Sequence, residues 1–140
     1  SSDVCSSDLS AWKDGLIVSG VANAGNTEPA TVEVTGLSSA SKYNFTILAV
    51  RFGGSKAART SEYTLKGKNT IGPKEIRTGL KLGTNEGEYA TFEEVPYGEY
   101  ITKFENVEPT ADGKVVIEVV GLSGAATEGH LNALSIKQVQ

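Results

Sequence analysis

Arginine side chains are the groups in this chain best suited to hold a ligand. Arg51 and Arg59 flank a loop of residues 52–58 between two predicted strands. A guanidinium makes planar bidentate contacts with a carboxylate, and the same donors suit a uronic acid or the hydroxyls of a sugar. Alternatively, one or both arginines pair with Glu62 or another acid and lock the loop. The sequence leaves both interpretations open.

Aromatic residues supply a second kind of candidate, because a flat exposed ring covers the apolar face of a pyranose. Tyr97 lies in the predicted turn 95–98, where we expect it to be exposed. Trp12 is suited either to stacking or to a position in the core. Tyr89 and Tyr100 are further aromatic candidates. The ligand-binding residues that we predict are therefore Arg51, Arg59, Tyr97 and Trp12.

Catalytic constellations are sparse. His130 is the only histidine, so a Ser-His-Asp triad would have to use it, and no Gly-x-Ser-x-Gly motif is present. We expect it to be a surface or strand-edge histidine. The adjacent Glu93 and Glu94 would face opposite sides of a strand, which is poor geometry for an acid and base pair, and we expect solvated charges. The sequence predicts a protein that is not an enzyme, although it could be attached to one.

The first nine residues differ from the rest of the chain. They read SSDVCSSDL, which is similar to the translated end of a sequencing-library adapter, and the chain contains no methionine. We expect residues 1–9 to be an artefact that includes Cys5, and residues 10–140 to be a single domain truncated at its N-terminus. The alternative is a flexible, serine-rich leader.

Metal sites are poorly supported. One histidine and no cysteine beyond Cys5 cannot form a zinc site without three carboxylates. Asn85, Glu86 and Glu88 offer oxygen ligands but lack the EF-hand spacing. We expect no catalytic metal and no cofactor, and we leave a structural calcium ion open.

The charge and hydropathy of the chain exclude several classes of partner. The formal net charge is -4, and two of the 17 acidic residues, Asp3 and Asp8, belong to the first nine. Nucleic-acid binding depends on clustered Lys and Arg, so the sequence predicts no nucleic-acid partner. No apolar run is long enough to cross a membrane, and we expect no membrane insertion.

The elements that must position these residues are predicted to be strands. Apolar residues recur with a period near two, in short runs separated by Gly, Asn, Asp and Pro. Such a chain is best accommodated by an antiparallel β-sandwich, in which two sheets bury each other's apolar faces. The predicted strands are 16–18, 31–35, 43–50, 62–66, 75–82, 89–92, 100–104, 115–120 and 131–136.

Turn residues refine this all-β prediction. Gly36 ends the alternating run 31–35, and Asp112-Gly113 lies between two apolar runs, where we expect a tight hairpin with a positive φ at the glycine. Pro109 should end ladder pairing just before that hairpin. Asn132, between Leu131 and Ala133, is predicted to form a structural hydrogen bond with a loop backbone.

Several of these segments together resemble a known family. They are TGL at 35–37 followed by YNFTILAVR at 43–51, RTSEYTLKG at 59–67, NVEPTADGK at 106–114 and LNALSI at 131–136. They are similar to galactose-binding-like β-sandwich modules, which have a jelly-roll fold. The resemblance covers about 30–136, and Arg51 and Arg59 match its pattern. The segment 53–58 departs from the pattern because it lacks the acidic residue often found before the arginine.

The resemblance implies an accessory role. Such modules are appended to secreted bacterial hydrolases, SGNH-type esterases among them, and to bacterial surface proteins. We therefore expect a non-catalytic module of an exported bacterial multidomain protein, secreted or at the cell surface, that binds a polysaccharide or other glycan. The alternative is a structural spacer that docks on the catalytic or surface domain of the same chain without binding sugar.

Overall fold

The computed structural model describes residues 16–18, 29–50, 60–79, 91, 93–123 and 129–140. Across these ranges the chain forms β-strands and contains no α-helix, and no helix is long and apolar enough to cross a membrane. The strands are β1 (Leu16–Val18), β2 (Ala30–Val34), β3 (Tyr43–Leu48), β4 (Thr60–Lys66), β5 (Thr70–Arg77), β6 (Ile101–Val107), β7 (Val115–Ser123), β8 (Gly129–Leu131) and β9 (Ala133–Gln138).

The strands form two main sheets that are antiparallel throughout. One sheet has the order β2-β7-β4-β5 and the other the order β6-β3-β9, while β1 pairs with β8. Side chains of both sheets enter one hydrophobic core, which makes the architecture β-sandwich-like. The prediction of an all-β, antiparallel fold is confirmed.

Period-two alternation explains how the core is filled. On β3 the side chains of Tyr43, Phe45 and Ile47 are buried, whereas Asn44 between them is exposed. β2, β4 and β7 alternate in the same way, because successive residues point to opposite faces of a sheet. Fully buried apolar side chains of β3, β4, β6 and β7 are Phe45, Ile47, Tyr63, Leu65, Phe104, Val107, Val115, Ile117 and Val119.

Most strand predictions differ from the structure at one or both boundaries, and two of the differences are large. The run predicted to start at 75 begins at Thr70, since Pro73 is tolerated where β5 forms the sheet edge and the register shifts between Tyr63 and Leu65. The run 131–136 is divided at Asn132, which lies between β8, the partner of β1, and β9, the partner of β3. The predicted strand 89–92 falls almost entirely outside the described residues, and residue 91 lies in a bend.

The predicted hairpin at Asp112-Gly113 is wrong, although its turn chemistry is right. Gly113 has a φ of 76°, as the prediction requires, and Gly36 has a φ of 79° at the end of β2. However, β6 and β7 belong to different sheets, so the turn carries the chain across the sandwich. A Cβ on Gly113 would lie 2.2 Å from the carbonyl oxygen of Leu37, which shows how closely two connections approach there.

The connections are grouped at two ends of the sandwich. At the end that we call the Pro109 end, the β4–β5 turn contacts the β6–β7 connection, because Lys68 N–H donates to the Glu108 carbonyl at 2.7 Å. At the opposite end, the Asn132 end, Asn132 N–H donates to the Leu48 carbonyl at 2.9 Å. The Asn132 end therefore contains the last residues of β3 and the first residues of β4 and β6.

Candidate functional site

Three of the four predicted ligand-binding residues, Arg51, Arg59 and Trp12, lie outside the described residues. The oxygen ligands suggested at 85–88 and the ring of Tyr89 also lie outside them. Val50 and Thr60, the described neighbours of 51–59, are both at the Asn132 end, because β3 ends and β4 begins there. The loop prediction for the two arginines stays a prediction.

Tyr97 lies in a turn, as predicted, but it is not fully exposed. It begins a 3₁₀ turn, Tyr97–Tyr100, in which Glu99 N–H donates to the Pro96 carbonyl at 2.9 Å. The ring is half-buried and packs against the core, which leaves less surface for a sugar than the sequence suggested. Burial, with a smaller effect from the charge of Glu93, raises the pKa of Tyr97 above its ordinary value of 10.0. Its hydroxyl is therefore protonated at neutral pH.

Asn132 has the structural role predicted for it. Its side-chain oxygen accepts a hydrogen bond from Val50 N–H at 2.7 Å. This contact satisfies the backbone of the last described residue before 51–59 and joins the end of β3 to the break between β8 and β9. The prediction of a hydrogen bond to a loop backbone is confirmed.

His130 is buried, with 2 % of its surface exposed, so of the two expected positions the surface one is wrong; the residue lies in β8, an edge strand that pairs with β1. Its backbone N–H donates to Ser61 Oγ at 3.0 Å, and the Tyr63 hydroxyl donates to its carbonyl oxygen. Ser61 and Tyr63 are themselves fully buried. A substrate from solvent cannot reach this serine, so the cluster links β8 to β4 and is not an accessible nucleophile and base pair.

Glu93 and Glu94 lie in a turn and not on a strand. Both are exposed, which agrees with the prediction of solvated charges. In the part of the chain that is described, no group of three or more His, Cys, Asp or Glu side chains is arranged to hold a metal ion.

A polar surface lies on the outer face of the β6-β3-β9 sheet. A shallow depression of about 300 Å³ is lined there by residues of all three strands. Because Phe45 and Phe104 point into the core, their neighbours in sequence point outward. We call this surface the β3 face; its outward side chains are Asn44, Thr46, Lys103, Glu105, Ser135 and Lys137.

The strand register arranges these side chains in two rows across the sheet. Thr46 of β3 is paired with Lys103 of β6 on one side and with Ser135 of β9 on the other. In the second row, Asn44 is paired with Lys137 of β9. On the other side of Asn44, the register between β3 and β6 shifts, and Glu105 is among the β6 residues that lie opposite it. The β3 face thus combines amide, hydroxyl, ammonium and carboxylate groups within three adjacent strands.

Asn44 is held in place within this surface. Its Oδ1 accepts a hydrogen bond from Asn106 N–H at 3.1 Å. Asn106 has a φ of 56°, a left-handed conformation that Asn adopts more readily than most residues. The side-chain amide of Asn44 is therefore oriented with its NH₂ group, a hydrogen-bond donor, available to the depression.

A second depression, of about 450 Å³, lies at the Pro109 end. The ammonium group of Lys68 is less available to a ligand there, because it lies 3.7 Å from Oε2 of Glu108. Lys42 lies 3.6 Å from the other carboxylate oxygen, Oε1. Its lining residues are Ser39, Lys68, Pro109, Thr110 and Ala111. The β3 face is the better candidate for binding a polar ligand.

Comparison with models of known protein families, with curated proteins and with solved structures found no match for this chain. The candidate site therefore depends on its own geometry.

Sequence reasoning missed the β3 face. The sequence predicts a strand over 43–50 with bulky residues at both parities near its end, and it does not assign Asn44 and Thr46 to the outward side that they occupy in β3. What could not be read was that β6 and β9, which are remote in sequence, pair with β3 on either side. The signal that could have found the site is the pair of polar residues at alternate positions in each of three separate strands, namely Asn44 and Thr46, Lys103 and Glu105, and Ser135 and Lys137.

Proposed function

We propose that this chain is a non-catalytic carbohydrate-binding module, of galactose-binding-like jelly-roll type, that belongs to an exported bacterial multidomain protein. The glycan binds on the β3 face. The observation that carries this proposal is the depression to which three adjacent strands contribute six polar side chains.

The chemistry of the β3 face suits a sugar. Hydroxyls of Thr46 and Ser135 both donate and accept hydrogen bonds, and the Asn44 amide adds donors, so the hydroxyls of a pyranose find matching partners. The side chains project from strands, which hold their relative positions better than loops do. The antiparallel sandwich and the segments that resemble galactose-binding-like modules support the family assignment.

A docking function has a specific observation in its favour as well. On the outer face of the other sheet, β7 presents Val116, Val120 and Leu122, and Leu122 is 43 % exposed. Glu118 interrupts this row and pairs with Lys66 at 2.6 Å. Such a surface suits contact with a neighbouring domain, and the two functions are compatible because they use opposite faces of the sandwich.

Affinity electrophoresis tests the proposal by running the protein in native gels that contain neutral or acidic polysaccharides. The variant Thr46→Ala with Ser135→Ala removes two hydroxyls from the β3 face. The matched control, Thr31→Ala with Thr64→Ala, removes two hydroxyls from the outer face of the other sheet. We expect at least one polysaccharide to retard the wild type and the control, and to retard the β3-face variant less.

The thermal midpoints of the three proteins are measured in parallel, so that a loss of folding is not taken for a loss of binding. A well-folded wild type that no polysaccharide retards would contradict carbohydrate binding. Equal loss in the β3-face variant and in the control would place the glycan elsewhere.

A further inference from the structure

The β3 face carries two lysines that form no ion pair with another residue in the described part of the protein. Lys103 and Lys137 have no carboxylate within ion-pair distance among the described residues. The lysines that do form ion pairs with described carboxylates are Lys42 and Lys68 with Glu108, Lys66 with Glu118 and Lys114 with Glu33. Lys103 and Lys137 differ from these four, although Lys74 and Arg77 of β5 likewise form no ion pair with a described residue; Lys74 donates to the Lys103 carbonyl and lies over the Phe104 ring.

The positions of these two lysines follow from the strand register. Lys103 lies on β6 in the row of Thr46, and Lys137 lies on β9 in the row of Asn44. They occupy diagonally opposite corners, two strands and two residues apart. With about 4.8 Å between strands and about 3.4 Å per residue, their Cα atoms are separated by roughly 12 Å. This separation is longer than one sugar ring.

The remaining corners have a different character. Glu105 lies at the corner on β6 next to the row of Asn44, and Ser135 lies at the corner on β9. The Glu105 carboxylate accepts hydrogen bonds from sugar hydroxyls but repels an acidic group. The acidic groups of a ligand are therefore expected to lie near Lys103 and Lys137 and away from Glu105.

We propose that the ligand of the β3 face is an acidic glycan of more than one sugar unit, with carboxylate or sulfate groups on alternate sugars. Lys103 and Lys137 each contact one acidic group, and Asn44, Thr46 and Ser135 contact the hydroxyls between them. This inference rests on the proposed function and names the class of glycan. Charge complementarity carries it, since Lys103 and Lys137 are the two cations among the described residues that line the depression.

The test compares native gels containing hyaluronate, which has a carboxylate on alternate sugars, with gels containing its fully methyl-esterified form. Lys103→Gln and Lys137→Gln are made singly and together. The control pair, Lys42→Gln with Lys68→Gln, removes the same charge from exposed lysines at the Pro109 end. Glu105→Gln removes the negative charge of the β3 face, which would repel an acidic glycan.

We expect hyaluronate to retard the wild type more than its ester does. Each single lysine variant should bind roughly two- to fivefold more weakly, since exposed ion pairs contribute modestly, and added salt should weaken binding further. The control pair should bind like the wild type, and Glu105→Gln should bind more tightly.

Each other outcome has a distinct meaning. Equal retardation by hyaluronate and its ester would overturn the acidic class and leave carbohydrate binding intact. Equal weakening in the control pair, or equal retardation by single-stranded DNA, would show a response to net charge and overturn the proposed contacts. If no glycan retards a folded wild type, the proposed function itself fails.

Discussion

At the scale of single residues, buried polar groups hold the sandwich together at the Asn132 end. The Asn132 amide satisfies Val50 N–H, and Ser61 and Tyr63 satisfy the backbone of His130 from both sides. A buried donor or acceptor left without a partner lowers the free energy of unfolding by about 1–3 kcal/mol, so the loss of any of these contacts should destabilise the protein. The role of Asn132 was predictable because a polar residue between two apolar ones must find a partner. The burial of His130 was not, since it depends on a strand 69 residues away.

Tyr63 should make the protein less stable at alkaline pH. Burial raises the pKa of this tyrosine well above its ordinary value of 10.0. The folded state therefore keeps the hydroxyl neutral while the unfolded state ionises it. Its contribution to stability is complete below the unfolded pKa and is lost as the pH rises from there towards the folded pKa.

We expect Tyr63→Phe to have a lower free energy of unfolding at neutral pH, by about 1–3 kcal/mol, because the His130 carbonyl loses its donor. Above about pH 10 its stability should fall less steeply than that of the wild type, by up to about 1.4 kcal/mol per pH unit. Urea unfolding at several pH values measures both quantities. Parallel pH profiles for the two proteins would contradict this account of Tyr63.

At the scale of elements, the local sequence predicted the positions of strands and turns better than it predicted which strands pair with each other. The predicted strands 31–35, 43–50, 62–66 and 115–120 correspond to β2, β3, β4 and β7. The positive φ of Gly113 was likewise readable, because Asp-Gly favours that backbone shape. Whether such a turn joins neighbours in one sheet or crosses between sheets depends on contacts that the local sequence does not contain. This is why the hairpin prediction was wrong.

Two glycines with similar φ values allow two costs of adding a side chain to be measured separately: the cost of the left-handed backbone and the cost of a clash with a neighbouring segment. Gly36 and Gly113 both have positive φ, but an added Cβ meets nothing within 4 Å at Gly36, whereas at Gly113 it meets the Leu37 carbonyl. Gly36→Ala should lower the free energy of unfolding by about 1–2 kcal/mol, the cost of the left-handed conformation. Gly113→Ala should cost clearly more. Equal losses, measured by urea unfolding, would show that the crossing between β6 and β7 tolerates a side chain.

At the scale of the whole molecule, two antiparallel sheets share one core and present opposite outer faces of different character. The β3 face is polar and carries two cations, while the face of β7 is partly apolar. The all-β class could be predicted from the sequence, since period-two patterns and turn residues recur along the chain. The β3 face could not, because it exists only once β6 and β9 are placed on either side of β3.

The central claim is that a glycan binds on the β3 face, and amide chemical shifts test its location most directly. The labelled protein is titrated with a short hyaluronate oligosaccharide, and the shifts are mapped onto the strands. We predict saturable shifts at 44–46, 103–105 and 135–137, with those of β2 and β7 unchanged. Shifts confined to the outer face of β7 or to the Asn132 end, or no shifts at all, would contradict the claim.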